Sequence, residues 1–175
     1  MLTLPNALSL SRIALAPALV VAVANRAEII VVGIFILVVI SDFLDGYIAR
    51  RRALASNLGA LIDHSSDAIF VTVMTGQFAY LGLLPPALPL AISIAFVQYS
   101  LDSRESGRME LRASTLGRYN GIAYFVITAL AIFVHLFVPY PITISVIYWL
   151  GWLLVFSSLV SISLRAAHFF ATQHT

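Results

Sequence analysis

The stretch SDFLDGYIARRRALASNLGALIDHSSD, residues 41–67, lies between the apolar runs IIVVGIFILVVI (29–40) and AIFVTVMTGQFAYLGLL (68–84). The runs on either side decide the fold. Apolar runs of 17 or more residues recur along the chain, and each is long enough to cross a hydrocarbon core of about 30 Å. The runs are continuous, whereas a membrane β-barrel needs polar and apolar residues in alternation. The chain is therefore expected to be all-α and polytopic, with residues 1–175 forming a single membrane domain. The quoted stretch then poses a chemical problem, because it carries Asp42, Asp45, Asp63 and Asp67 into or beside a membrane.

The composition supports the membrane reading. Of 175 residues, 61% are hydrophobic and 10% charged, against roughly 25% charged in soluble domains. There is no cysteine, which excludes disulfide and thiolate chemistry. All ten basic residues are arginine. Arg12 followed by IALAPALVVAVA imitates a secretory signal. The residues before Arg12 are apolar rather than basic, so the segment is expected to stay in the protein.

Six transmembrane helices are expected, at about Leu8–Ala24, Glu28–Arg51, Leu58–Leu81, Pro86–Leu101, Leu116–Val138 and Ile142–Ala167, with TLPN as an interfacial lead-in. The connections NRAE, LGLLPP and VPYP are short and nearly free of charge. The other set holds Arg50, Arg51, Arg52, Arg104, Arg108, Arg112, Arg118 and Arg165. Basic loops stay in the cytoplasm, so both termini are expected there too.

Asp42 and Asp45 are three apart and share a face near the cytoplasmic end of the second helix. Gly59, Asp63 and Asp67 are spaced by four and share a face of the third. Asp63 lies roughly 7 Å beyond the start of its helix, and Asp45 is at similar depth before Arg50. The tight RRRALASN connection makes the two helices antiparallel neighbours, so the pairs can meet. Four intramembrane charges would cost on the order of 10 kcal/mol. Two divalent cations would cancel them, and oxygen ligands suit Mg²⁺, Mn²⁺ or Ca²⁺. Pairing with Arg50, Arg51 and Arg52, or immersion in headgroup water, explains one such aspartate more readily than four. His64 points off the aspartate face and is read as interfacial. Gly46 and Gly59 permit close approach of a ligand or of another helix. Ser56 and Asn57 can cap the third helix and aim its positive dipole end at the site.

Asp42-x-x-Asp45-Gly46-x-x-Ala49-Arg50, eight residues, then Gly59-x-x-x-Asp63-x-x-x-Asp67 resembles the signature of the CDP-alcohol phosphatidyltransferases at every fixed position. Pro5-Asn6-x-x-Ser9-x-x-Arg12 is similar to the family's Asn-x-x-Thr-x-x-Arg lead-in, with serine for threonine. The resemblance implies six helices and transfer of a phosphatidyl group from a CDP-alcohol to a hydroxyl acceptor, with release of CMP. It implies two divalent cations, Mg²⁺ or Mn²⁺, held by Asp42, Asp45, Asp63 and Asp67, with Asp67 also the general base. Asn6, Ser9, Gly46, Ala49, Arg50 and Gly59 would serve the cytidine diphosphate. It implies a homodimer in a bacterial inner membrane, with the active site facing the cytoplasm. The partners would be a CDP-linked lipid donor, an alcohol acceptor and membrane lipid, with no nucleic acid.

The acceptor is less legible. Arg104, Arg108 and Arg112 would share a face if helical, and Arg118 opens the fifth helix. These four are candidates for an acceptor's phosphate, although cytoplasmic loops are basic in any case. Glycerol 3-phosphate is the first expectation. Gly117-Arg118-Tyr119-Asn120-Gly121 differs from the Gly-Lys-x-Lys-Thr usual in phosphatidylglycerophosphate synthases, which leaves inositol phosphate, inositol, serine and phosphatidylglycerol open. A cation transporter using the aspartates is the competing class. Transporter sites favour the midplane and paired repeats, and this sequence shows neither.

Overall fold

A computed structural model describes the backbone of residues 4–51, 57–105 and 115–173, and the side chains of residues 6–44, 48, 59–101 and 115–167. The six helices are α1 (Leu4–Ala24), α2 (Glu28–Arg51), α3 (Asn57–Tyr80), α4 (Ala87–Glu105), α5 (Thr115–Phe137) and α6 (Pro141–Gln173). Among the described residues every regular element is helical. The protein is an all-α membrane protein. Asn6–Ala24, Thr115–Phe137 and Pro141–Ala167 are each long and apolar enough to span a bilayer, and Ala87–Leu101 is a shorter apolar helix. Ile29, Leu153 and Phe156 are among many large apolar side chains left exposed on the bundle, as lipid contact requires.

The helix limits follow the expectation closely, with three shifts. Leu4, Pro5 and Asn6 of the expected lead-in belong to α1, since Pro5 suits a first helical turn whose N–H groups lack partners anyway. Helix α4 runs on to Glu105, and α6 runs on to Gln173.

The helices group into two compact units, residues 1–74 and 75–175. In the first, α1 packs along α2. The buried face of α1 is Ser9, Arg12, Ala16, Leu19 and Val23, spaced alternately by three and four as one helix face demands. That face is polar at its first two positions and apolar beyond them. Beyond Asp67, the apolar core positions that α3 gives this unit are Phe70, Val71 and Met74. In the second unit, α6 packs against both α4 and α5. A Cβ on Gly151 of α6 would lie 2.4 Å from Cδ of Pro85, so only glycine lets the turn before α4 come this near.

Two helix ends are closed in the same way. At the end of α1, Arg26 N–H donates to Val23 O and Ala27 N–H to Ala22 O, with Arg26 at φ 51°. At the end of α3, Gly82 N–H donates to Ala79 O and Leu83 N–H to Phe78 O, with Gly82 at φ 76°. Both are Schellman caps, which need a left-handed residue. The second has the glycine that suits that conformation; the first holds an arginine there.

Candidate metal centre

The site is assembled within residues 1–74. Asp42 enters from α2, one residue after buried Ser41. Asp63 and Asp67 enter from α3, one helical turn apart, as their spacing of four requires. One carboxylate oxygen from each of Asp42, Asp63 and Asp67 lies within 4.8 Å of the others. Neighbouring oxygens on one octahedral Mg²⁺ at 2.0–2.1 Å lie about 2.9 Å apart, so the three carboxylates would draw together by up to about 2 Å to share one ion. Three carboxylates form a hard-oxygen donor set of the kind these ions favour. The residues fit a divalent cation.

Two side chains of α1 face the carboxylates. Ser9, almost fully buried, donates its hydroxyl to Oδ1 of Asp63 at 3.1 Å. Arg12, with no exposed surface, pairs with Asp42 and Asp63 and reaches Oδ1 of Asp67 at 2.6 Å. Asn6 is buried one turn before Ser9.

The expected same-face arrangement of Asp63 and Asp67, and their meeting with Asp42, are present. Gly59 sits one turn before Asp63 and is half-buried. His64 is exposed and bonds through Nδ1 with Ala60 O at 2.9 Å. The side chains of Asp45, Ala49, Arg50 and Arg104, and residue Gly46, lie outside the described side chains, and Arg108 and Arg112 lie outside the described residues. Arg118 is exposed near the start of α5.

In the sequence Arg12 is legible only as a motif position, and its role as the cation among the aspartates is missed. The signal is nevertheless present, because Arg12 is the lone charge of α1 and intramembrane charges are functional by default.

A second polar group lies within residues 75–175. Ser158 spends its single proton on Leu154 O at 2.6 Å. Tyr124 must therefore be the donor in its 2.6 Å bond to Ser158. Ser157 donates to Oδ1 of Asn120 at 2.7 Å, and Gln98 donates to Ile162 O at 3.0 Å. The Arg165 guanidinium stands 5.2 Å from the ring centre of Tyr99, within range of a cation–π contact. From sequence alone, Arg165 counts only as a topology charge.

Residues 2–160 match the CDP-alcohol phosphatidyltransferase family. The chain belongs to that family. The family uses a CDP-linked lipid donor and an alcohol acceptor, and typically depends on divalent cations. The chain is 37% identical over 91 residues to the CMP-forming cardiolipin synthase of Homo sapiens, covering 51% of this chain and 30% of that protein. It is 39% identical over 85 residues to a putative cardiolipin synthase of Mycobacterium tuberculosis, covering 48% and 41%. It is 37% identical over 106 residues to the chloroplastic/mitochondrial CDP-diacylglycerol–glycerol-3-phosphate 3-phosphatidyltransferase 1 of Arabidopsis thaliana, covering 55% and 36%. The matched stretches span less than half the length of each of these relatives.

Proposed function

We propose that this protein transfers a phosphatidyl group from CDP-diacylglycerol to a glycerol-phosphate acceptor and releases CMP. The observation that carries this reading is the convergence of Asp42, Asp63 and Asp67 from two helices, at fixed positions of the family motif. The acceptor oxygen forms a bond to the phosphatidyl phosphorus as the bond from that phosphorus to the CMP oxygen breaks. The acceptor's proton goes to Asp67, a carboxylate in the right class for a general base. When bound at the aspartates, divalent cations supply neutralisation of the charge on the attacking and leaving oxygens. Asp45 completes the ligand set, and the metal is Mg²⁺ or Mn²⁺. Ser9 holds Asp63 in place, and Asn6, Gly46, Ala49, Arg50 and Gly59 serve the cytidine diphosphate.

The acceptor class is supported by the relatives, which are named for cardiolipin synthesis and for glycerol 3-phosphate. Cardiolipin forms when the acceptor is phosphatidylglycerol, and that acceptor and glycerol 3-phosphate share a glycerol phosphate. Arg104, Arg108, Arg112 and Arg118 supply the positive charge for the acceptor phosphate. The chain works as a single domain of six spans, with both termini and the site on the cytoplasmic side of a bacterial inner membrane. It assembles as a homodimer.

The test is product identity. Purified protein is given CDP-diacylglycerol with glycerol 3-phosphate, phosphatidylglycerol, inositol phosphate, inositol or serine, and the lipid products are read by mass spectrometry. A new lipid with one of the first two acceptors is expected. Turnover confined to inositol, its phosphate or serine would overturn the acceptor assignment alone. No product with any acceptor would overturn the reaction.

A further inference from the structure

The two-metal reading leaves Arg12 without a role, yet among the described residues of the site its side chain is the most enclosed. It touches Asp42, Asp63 and Asp67 together. It stands on the buried face of α1 between Ser9 and Ala16, so it cannot swing into water without leaving the helix packing. Charge counting then becomes informative. The motif's four carboxylates and Arg12 sum to −3, one divalent cation brings the site to −1, and a second brings it to +1. The second cation thus enters a site whose net charge barely attracts it, and in which Arg12, in contact with three of the carboxylates, repels it. An anionic diphosphate would reverse that.

We propose that Arg12 is the site's resident counter-cation. It offsets part of the carboxylates' charge and competes with divalent cations for them, so that full metal occupancy waits for the nucleotide diphosphate. This inference rests on the aspartates being metal ligands. Carboxylates have lone pairs enough to serve a guanidinium and a metal together, but like charges a few ångströms apart repel strongly where water is scarce. The opposite sign distinguishes a merely structural salt bridge. Losing a structural strut would let the aspartates splay, and metal binding would weaken. Losing a competitor makes metal binding tighten.

The experiment follows Mn²⁺ binding to the detergent-solubilised protein by electron paramagnetic resonance, with and without CDP. Wild type is compared with Arg12→Gln and Arg12→Lys, all purified in Mn²⁺ and then stripped. Arg12→Gln should bind the first Mn²⁺ about tenfold tighter or more, and should take a second without CDP. Wild type should take the second only with CDP. Arg12→Lys keeps the charge but not the fork that spans several carboxylates, so its affinity should fall between the two. In thermal unfolding, Mn²⁺ should raise the midpoint of Arg12→Gln more than that of wild type, because tighter binding to the folded state stabilises it more. Unchanged or weaker Mn²⁺ binding in the variants would overturn the proposal. If Arg12→Gln cannot be folded, an Arg12→Lys affinity equal to wild type or weaker overturns it alone. No Mn²⁺ binding by wild type would instead remove the metal reading itself.

Discussion

Replacing Asp63 by asparagine keeps the side chain's shape and removes one charge where α1 and α3 meet. Oδ1 of Asp63 accepts from Ser9 at 3.1 Å and from Arg12. Hydrogen bonds to a charged group contribute about 1.5–3 kcal/mol each. Three effects reduce the loss. The Asp63 side chain is 31% exposed, which screens its interactions. The amide oxygen still accepts one bond. Repulsion from Asp42 and Asp67 is relieved. The expected net cost in metal-free protein is about 1–2 kcal/mol, a drop of a few degrees in Tm for a chain of this size. The catalytic cost is larger, because a lost ligand removes metal-borne stabilisation of the transition state, which is worth several kcal/mol. At about 1.4 kcal/mol per decade, the CMP release rate should fall by roughly 10²–10⁴. The assays are a thermal melt in EDTA and CMP release at saturating Mn²⁺. Release within about tenfold of wild type, by a protein that melts as expected, would refute the assignment of Asp63.

Other substitutions separate the parts of the account. Asp67→Asn should fold and abolish turnover, and substantial remaining CMP release would remove Asp67 as the base. Gly151→Leu should destabilise by about 1–3 kcal/mol through overpacking against Pro85 and Leu84. Gly76→Ala, where nothing lies within 4 Å, should not; equal melting shifts for the two would contradict that packing. Arg26→Gly should raise stability by about 1 kcal/mol, because glycine takes the left-handed cap without the steric cost an arginine meets; an unchanged or lower Tm would argue against the cap.

Much of the site is legible in the sequence, because helix geometry converts spacing directly into neighbourhood. Asp63 and Asp67 have to share a face, and a short connection has to bring that face near Asp42. What the residues do not reveal is which helix supplies the opposing charge. The arginines of the RRR segment are close in sequence, which makes them the natural partners to expect. Arg12, thirty residues before Asp42, reaches it because α1 packs along α2 with its Ser9–Arg12–Ala16 face inward. That alignment is a tertiary fact, not a local one. The expected end of α4 falls short for a related reason: its last turn, Asp102–Glu105, is polar, and hydropathy alone stops where the apolar run stops. The bonds joining Tyr124 to Ser158 and Asn120 to Ser157 are invisible in the sequence for the same reason as Arg12, since each links residues on separate helices.

The most direct test of the central claim is CMP release by the purified protein from CDP-diacylglycerol and an equimolar mixture of glycerol 3-phosphate and phosphatidylglycerol. It is measured first in EDTA and then after adding Mg²⁺ or Mn²⁺. CMP should be absent in EDTA and appear on adding either metal, with Asp42→Asn, Asp63→Asn and Asp67→Asn all close to background. CMP released equally in EDTA, or undiminished in those three variants, would contradict a metal-dependent transfer at this aspartate cluster.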